Sequence, residues 1–414
     1  MNFPDALPIP DEVRLIAERL EHAGFETWCV GGAIRDSLLG YEGKDFDLAT
    51  AATPAQMRKL FKRTIPVGIE HGTLAILDRH NKPHEVTTFR KDVKTDGRHA
   101  VVEFGASLNE DLARRDFTIN AIAYHPITHE WRDLFSGAED MEATLIRAVG
   151  DPEQRFREDY LRILRAFRFS ARLGFEIETA TWDACNTCVA GLQHLSAERV
   201  RVEWFRGLEG CRAAVEFVAC WRESGALDIW LPEAVGRYGG RAVGGEAEGS
   251  LLEGIDRVGL RDPVLITCFL SDDPAATLAR LKCSKVEIER GRRIGKFRGQ
   301  WPALASEVEV RRWMAKVADS ADDLVWLARV EGVANGLGDA VTRVRQSGAP
   351  LTLGDLAVRG DDLKRAGFKK GPQVGQTLNA LLQIVLEDPT LNTNSALLER
   401  ARELLASHGT KRRD

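Results

Sequence analysis

The pattern of apolar and polar positions changes along the chain, from strands near the amino terminus to helices over the rest. Residues 27–30 predict a short strand, and residues 33–39 predict a helical segment ended by Gly40. Residues 44–48 predict a second strand, and residues 71–92 predict two alternating strands joined by a polar turn. The later sequence is mainly helical in period. We therefore expect an α+β amino-terminal region with a small mixed sheet, followed by an all-α remainder.

The most regular helical pattern covers residues 151–175. On a single helix, one face would be apolar and would carry Tyr160, Ile163, Leu164, Phe167 and Ala171. The opposite face would be mainly basic and would carry Glu158, Arg162, Arg165, Phe169 and Arg172. This pattern predicts a helix that packs on a core and presents arginines to a partner.

Two carboxylates stand close together in the stretch KDFDLAT. On a strand, Asp45 and Asp47 point the same way while Phe46 points into a core. Two like charges on one face repel each other unless a cation lies between them. A hard divalent ion with oxygen ligands, most simply Mg²⁺, resolves this repulsion. The alternative for such a short motif is a solvated loop or a calcium-type site.

Just before these carboxylates, Gly31 and Gly32 form a predicted turn that leads into a helix. The first turn of such a helix offers backbone N–H groups to an anion, and Arg35 adds a positive charge. Together these residues suggest a cradle for a nucleoside triphosphate beside a metal. The alternative for two adjacent glycines is an ordinary turn.

Two further segments carry polar groups at helical spacing. In DLARRDFTINAIAY, residues 111–124, Asp116 and Asn120 are one helical turn apart and Arg115 is adjacent. In EDYLR, Asp159 and Arg162 have the i,i+3 spacing of a surface salt bridge, which is one interpretation of the pair.

A second interpretation of Asp159 and Arg162 is that they read a nucleobase. A carboxylate accepts from an exocyclic amino group, while a guanidinium donates to the neighbouring ring nitrogen. Cytosine and adenine present that edge, whereas uracil and guanine present a carbonyl and a ring N–H. The pair would therefore admit CTP and ATP and reject UTP and GTP.

Composition limits these possibilities. The chain has 414 residues, enough for several modules, and its formal net charge of −5 restricts RNA contacts to local basic patches. No apolar run approaches the roughly 20 residues that span a bilayer, and the start MNFPDALPIPDE does not predict a signal peptide. We expect a cytoplasmic protein with no membrane contact, while its oligomeric state stays open.

Residues 28–50, with GGAIRDSLLG and KDFDLAT, resemble the signature of the polymerase-beta-type nucleotidyltransferase superfamily. Their spelling is similar to the branch of class II tRNA nucleotidyltransferases and bacterial poly(A) polymerases. RRDFTINA resembles this family's sugar and triphosphate motif, and EDYLR resembles its EDxxR base template. The resemblance implies nucleotide-binding roles for Gly31, Gly32, Arg35, Arg115, Asp116, Asn120, Asp159 and Arg162. The nearby Arg165 and Arg168 are expected to bind the nucleotide by supporting the electrostatics on its triphosphate side.

The resemblance also implies a catalytic set of Asp45, Asp47 and Glu85, with Mg²⁺ held by the two aspartates. SAERVRVEW, residues 196–204, resembles a supporting helix and receives no chemistry. Lys369 and Lys370 begin an amphipathic helix in a stretch that resembles the family's RNA-binding tail. The polar stretch 93–105 has no clear periodicity and predicts a mobile loop.

The expected function is addition of CCA to the 3′ end of tRNA from CTP and ATP without a template. A poly(A) polymerase is the alternative within the fold. Such enzymes usually carry a basic stretch after the catalytic aspartates and a long basic tail, whereas here residues 51–70 are only mildly basic and the end GTKRRD is short. A CC-adding relative would have the 93–105 loop shortened. A DxD glycosyltransferase would leave RRDFTINA and EDYLR unexplained. A noncatalytic RNA-binding relative would be expected to have lost a metal carboxylate, whereas Asp45 and Asp47 are both present. The expected division is a catalytic head, neck, body and tail over residues 1–140, 141–210, 211–330 and 331–414.

Overall fold

The computed structural model of the protein describes residues 3–41, 45–69, 72–95, 100–234, 248–368 and 371–410. The chain forms two compact units. The first comprises Met1–Gly240 with the short pieces Arg261–Pro263 and Arg280–Lys282. The second comprises Arg241–Leu260, Val264–Ala279 and Cys283–Asp414. In the described part of the chain, no helix is both long and apolar enough to cross a membrane.

The first unit contains a sheet of seven strands in the order β3-β4-β5-β2-β1-β8-β9. Its strands are β1 (Thr27–Val30), β2 (Asp47–Thr50), β3 (Thr64–Gly68), β4 (Thr73–Leu77), β5 (Pro83–Thr88), β8 (Ile122–Tyr124) and β9 (Trp131–Asp133). β2 and β5 run parallel, and the other neighbouring strands are antiparallel. The mixed sheet predicted from the sequence is therefore confirmed. A short parallel pair, β10 (Leu145–Ile146) and β11 (Glu176–Ile177), lies later in the chain.

The second predicted strand begins later than the sequence pattern indicates. β2 starts at Asp47, opposite Val30, the last residue of β1. Asp45 and Phe46 precede the strand, because β1 ends at Val30 and offers no further residue to pair with their backbone. Lys44 lies outside the described residues. Strand alternation therefore does not fix the direction of the Asp45 side chain.

The prediction of an irregular loop over 93–105 is wrong. β6 (Arg90–Thr95) and β7 (Ala100–Phe104) form an antiparallel hairpin, of which residues 96–99 are outside the described part. The pairing shifts register between Asp92 and Lys94. Such a bulge interrupts the period of two by which a strand is recognised in a sequence.

The helices of the first unit pack on the sheet and on one another. They are α1 (Asp11–His22), α2 (Gly32–Leu38), α3 (Pro54–Leu60), α4 (Leu108–Ala113), α5 (Gly137–Glu142), α6 (Pro152–Glu158), α7 (Leu161–Leu173), α8 (Thr179–Cys188), α9 (Ala197–Gly210), α10 (Ala214–Glu223) and α11 (Ala226–Trp230). One core cluster joins strands β1, β2 and β8 to α4 through Trp28, Val30, Ala49, Phe89, Leu108, Leu112 and Ala123.

Two helical predictions are corrected by this part of the fold. Residues 151–175 form α6 and α7 rather than one helix, and Asp159 between them is extended, with φ −155° and ψ 105°. The helical spacing predicted for 111–124 ends at Ala113, after which a 3₁₀ turn (Thr118–Asn120) leads into β8. Residues 116–125 are buried throughout, so no amphipathic period marks where the helix stops.

The second unit is helical. Its α-helices cover Glu248–Val258, Pro263–Leu270, Pro274–Arg280, Lys285–Phe297, Glu307–Val317, Ala321–Glu331, Leu337–Gln346, Gly360–Arg365, Pro372–Glu387 and Asn394–Thr410. A core near its end includes Leu356, Leu363, Leu381, Val385 and Leu397. Every strand in the described residues lies before residue 178, which confirms the predicted change from α+β to all-α.

Candidate active site

A cleft of about 1010 Å³ in the first unit brings the three sequence motifs together. Its lining comes from the turn after β1, from β2, β5 and β6, from the segment after α4, and from α7 and α9. Among the predicted site residues it contains Gly31, Gly32, Arg35, Asp45, Asp47, Glu85, Arg115, Asp116, Asn120, Asp159, Arg162, Arg165 and Arg168. The lining includes ten arginines and six carboxylates, so the cleft is net positive although the whole chain is net negative.

The turn after β1 forms one end of the cleft. Gly31 has φ +83°, a left-handed conformation that glycine adopts without strain. A Cβ at Gly31 would lie 3.5 Å from Arg115 Nη1 and 3.8 Å from Asp47 Oδ2. The turn therefore sits directly between an arginine and a carboxylate of the site.

Three carboxylates gather at this end. Asp47 and Glu85 are neighbours on parallel strands, because Leu48 pairs with Val86 in the register of β2 and β5. The Asp47 side chain reaches solvent, yet the surrounding cleft walls raise its pKa to about 6, and the negative charges of Glu85 and Asp45 add to this rise against the opposing charge of Arg115. Asp45 is 81% exposed, with Oδ1 3.4 Å from Lys82 Nζ.

The carboxylates fit a hard divalent cation by their chemistry. Their oxygen atoms are the donors that Mg²⁺ prefers, and their mutual repulsion is relieved by a cation. Across the described residues, no three carboxylate, imidazole or thiol groups already converge closely enough to hold a metal ion. Asp45 instead pairs with Lys82 in this structure, with Oδ1 3.4 Å from Nζ.

Behind the turn, buried polar side chains form a continuous hydrogen-bonded network. Arg35, 2% exposed, donates from Nη1 to Asn120 Oδ1 at 2.6 Å and from Nη2 to Asp36 Oδ1 at 2.6 Å. Asn120 Nδ2 in turn donates to Asp116 Oδ1 at 3.0 Å, and Arg165 Nε donates to Asp116 Oδ2 at 2.7 Å. Arg35 thus lines the cleft with little exposed area and also links α2 to the 3₁₀ turn and, through Asn120 and Asp116, to α7.

Asp116 is the anionic centre of this network. Burial alone would raise its pKa, but the charge of Arg165, together with hydrogen bonds from Asn120 and Arg165, outweighs burial and lowers the pKa to about 2. Asp116 is therefore ionised at neutral pH and neutralises part of the arginine cluster.

Asp159 and Arg162 also line the cleft. Asp159 Oδ1 accepts from the backbone N–H of Leu161 at 3.1 Å, and Oδ2 accepts from Arg199 Nη2 at 2.7 Å. Arg162 Nη1 donates to Glu158 Oε2 at 2.7 Å, and Nη2 donates to the Arg114 carbonyl at 3.0 Å. Asp159 is oriented by the break between α6 and α7, not by the predicted position on a continuous helix.

The sequence is similar to known proteins over almost its whole length. The sequence model of the "Poly A polymerase head domain" matches residues 27–147, and that of the "Probable RNA and SrmB- binding site of polymerase A" matches residues 174–235. The CCA-adding enzyme of Limosilactobacillus fermentum is 36% identical over 97% of this chain and 99% of its own length. That of Streptococcus gordonii is 34% identical, covering 97% and 98%. The chain belongs to the CCA-adding enzyme family.

A solved structure supports the same assignment. The Bacillus stearothermophilus CCA-adding enzyme in complex with CTP has a TM-score of 0.80 and 29% identity, covering 97% of this chain and 98% of its own. The family predicted from GGAIRD, RRDFTINA and EDYLR is therefore confirmed. Membership in the CCA-adding enzyme family excludes the DxD glycosyltransferase as an interpretation of Asp45 and Asp47.

Several lining residues of this CCA-adding enzyme family member were missed in the sequence. They are Asp36, Arg90, Arg114, Arg199 and Arg206. Phe169 and Arg172 also line the cleft; the helical pattern places them on the basic face without assigning them a site role. The sequence pattern predicts only a supporting role for the segment 196–204. In the structure, its Arg199 donates to Asp159 and its Glu203 accepts from Arg168 Nε at 2.5 Å. The signal was present, because Arg199, Glu203 and Arg206 have the i, i+4, i+7 spacing of one helix face.

The predicted RNA-binding pair of the tail, Lys369 and Lys370, lies outside the described residues. The helix that follows begins at Pro372, with Gly371 before it at φ +113°.

Proposed function

We propose that this chain adds CCA to the 3′ end of tRNA, using CTP and ATP without a nucleic-acid template and releasing pyrophosphate. The observation that carries the proposal is a net positive cleft that contains all three motifs, in a chain whose relatives named CCA-adding enzyme match it end to end. Polyphosphates and RNA are anions, and a confined surplus of arginines attracts both.

On this proposal, Asp45 and Asp47 hold Mg²⁺, and Glu85 supplies a further carboxylate beside them. Mg²⁺ bound there would neutralise charge on the triphosphate and favour deprotonation of the attacking 3′ hydroxyl. The chain's own groups bind and orient the substrates. Arg115, at the Gly31–Gly32 turn, lies where a triphosphate would approach the carboxylates. The network of Arg35, Asp116, Asn120 and Arg165, together with the Arg168–Glu203 pair, keeps the surrounding wall in place.

Base selection is assigned to Asp159 and Arg162. Asp159 accepts the exocyclic amino group of cytosine or adenine, and Arg162 donates to the neighbouring ring nitrogen. Support comes from the partners of the two side chains, since Arg199 fixes the carboxylate and Glu158 fixes the guanidinium. Because both side chains are oriented by the protein, a base that presents the wrong edge would leave a donor or acceptor unsatisfied.

The remaining parts of the proposal concern the tRNA. Residues 1–140 would act as the catalytic head, 141–210 as the neck that reads the base, 211–330 as the body and 331–414 as the tail. Lys369 and Lys370 would contact the tRNA backbone at the start of a tail helix. We place the proposed activity in the cytoplasm, because the proposed substrate is tRNA.

The test is single-nucleotide analysis of products formed on tRNA that lacks its 3′ CCA. The purified chain with Mg²⁺ and CTP should add two nucleotides and stop, and ATP should then add one more. EDTA should abolish addition, and excess Mg²⁺ should restore it. Asp47→Asn, which keeps the side-chain shape, serves as the inactive control.

The alternatives give different products in the same assay. A poly(A) polymerase would extend the RNA with ATP alone into a long ladder, which would overturn the CCA proposal while keeping the nucleotidyltransferase fold. A noncatalytic RNA-binding protein would bind the tRNA and add nothing with either nucleotide.

A further inference from the structure

One aromatic ring lies at the centre of the arginine cluster. Phe169 in α7 lines the cleft but is only 4% exposed. Three guanidinium carbons lie near its ring centroid: Arg168 at 4.2 Å, Arg35 at 4.8 Å and Arg165 at 5.3 Å. Arg35 comes from α2, whereas the other two come from α7 itself. A single ring therefore contacts cations from two separate elements of the cleft.

Each of these cations also has its own carboxylate. Arg35 pairs with Asp36 at 2.6 Å, Arg165 with Asp116 at 2.6 Å and Arg168 with Glu203 at 2.5 Å. The carboxylates belong to three different parts of the fold, namely α2, the segment after α4 and α9. The ring is a contact that all three cations share.

Three like charges in a confined space repel one another. The face of an aromatic ring is negative and attracts cations, and the attraction grows where water is excluded. Phe169 therefore offsets part of the repulsion among the three guanidiniums. No additional carboxylate, beyond the one that each already pairs with, is needed where they meet. Such an array suits a triphosphate, which carries several adjacent negative charges.

We infer that Phe169 is a positioning residue that holds Arg35, Arg165 and Arg168 as one array for the phosphates of the incoming nucleotide. The inference rests on the proposed function for the identity of that nucleotide. The competing role is simple core packing, since Phe169 also meets Phe117 edge to face, with ring centroids 5.8 Å apart and an angle of 82°.

Two changes at position 169 separate these roles. Phe169→Leu keeps an apolar side chain of moderate size but removes the ring. Replacement of Phe169 by 3,4,5-trifluorophenylalanine keeps the ring shape but removes its negative face. Phe167→Leu is the matched control, because Phe167 lies in the same helix, is fully buried and packs on Trp182 with centroids 5.9 Å apart.

The measurements are the calorimetric Kd for CTP, KM and kcat for CTP on tRNA lacking CCA, and the Tm of each variant. Phe169→Leu should raise both Kd and KM about tenfold, equivalent to about 1.4 kcal/mol, with a much smaller change in kcat. The trifluorinated ring should raise Kd in the same direction at an unchanged Tm. Phe167→Leu should lower Tm and leave Kd within about twofold.

The inference is overturned if the trifluorinated protein binds CTP as tightly as the wild type, or if Phe167→Leu weakens CTP as much as Phe169→Leu. Should Phe169→Leu fail to fold, the fluorinated protein alone decides. Failure of the proposed function is visible separately, since a wild-type protein that adds nothing to tRNA still allows the CTP affinities to be compared.

Discussion

Arg199 in α9 donates from Nη2 to Asp159 Oδ2 at 2.7 Å, joining two residues that are 40 positions apart in the sequence. Asp159 stands in extended backbone between α6 and α7, so this contact and the Leu161 N–H together set the direction of its carboxylate. An acceptor that reads an amino group must point in a defined direction, because hydrogen bonds weaken steeply with misalignment.

The first prediction follows from this relationship. Asp159→Ala should lower selectivity for CTP and ATP over UTP and GTP by one to two decades, since a lost hydrogen bond that leaves a mismatched partner costs ~1–3 kcal/mol. Arg199→Ala should lower selectivity about tenfold by freeing the carboxylate, and the double variant should show less than the sum of both effects. The measurement is kcat/KM for all four nucleotides on tRNA lacking CCA.

Arg206→Ala is the control for this pair of variants, because it removes the same charge from the same cleft-lining face of α9. It should weaken all four nucleotides alike. Equal changes in selectivity from Arg199→Ala and Arg206→Ala would show that α9 contributes only general electrostatics.

The second prediction concerns the carboxylates. Asp45→Ala and Asp47→Ala should each abolish nucleotide addition without lowering the thermal unfolding temperature of the chain, because each removes an oxygen donor at the proposed metal site. Near-normal turnover in either variant would exclude this assignment. Lys82→Ala, which removes the partner of Asp45, should keep activity within about fivefold, because exposed ion pairs contribute only about 0–1 kcal/mol.

A third prediction uses the ionisation of Asp116. Its pKa in the folded protein, about 2, lies below the unfolded value near 3.9. Its charge therefore stabilises the fold fully above about pH 4, and this contribution is lost as the pH falls toward 2. Asp116→Asn should reduce the free energy of unfolding by about 2–3 kcal/mol at pH 7. Urea titrations at pH 7 and pH 3 should show the wild-type advantage narrowing in acid, and a constant difference would contradict the assignment.

The sequence predicts those parts of the fold and site that depend on local pattern. β1 is found at the predicted residues, Thr27–Val30. Its β-branched and aromatic side chains favour a strand, and all four residues are buried. The faces of α7 are also as expected on the core side, where Ile163, Leu164, Phe167 and Ala171 are buried. The glycine turn was predicted as well, and the positive φ of Gly31 explains why a glycine stands there.

The errors arise where tertiary contacts override the local pattern. The break at Asp159 is missed because its side chain bonds the Leu161 N–H, an alternative to helix that an apolar period does not register. Arg199 is missed because a helical period identifies a face but not the surface it meets. Phe169 was placed correctly on the arginine side, but its burial depends on Arg35 arriving from α2.

The last prediction concerns the β6–β7 hairpin, whose first residue, Arg90, lines the cleft. On the proposed function, the pocket would accept cytosine twice and then adenine, which is larger, while the proposed base readers Asp159 and Arg162 would present the same hydrogen-bonding groups to both. An element that adjusts the cleft between these states would matter most for the last addition. Removing residues 93–105 and joining the ends with a short glycine linker should therefore spare CC addition and impair addition of A. Gel analysis of products from tRNA ending before its CCA and from tRNA ending in CC gives the two rates.

Replacing only residues 96–99 by glycine and serine, which keeps both strands, is the control and should retain both additions. An equal loss of C and A addition in the shortened variant would assign the hairpin to general stability of the cleft.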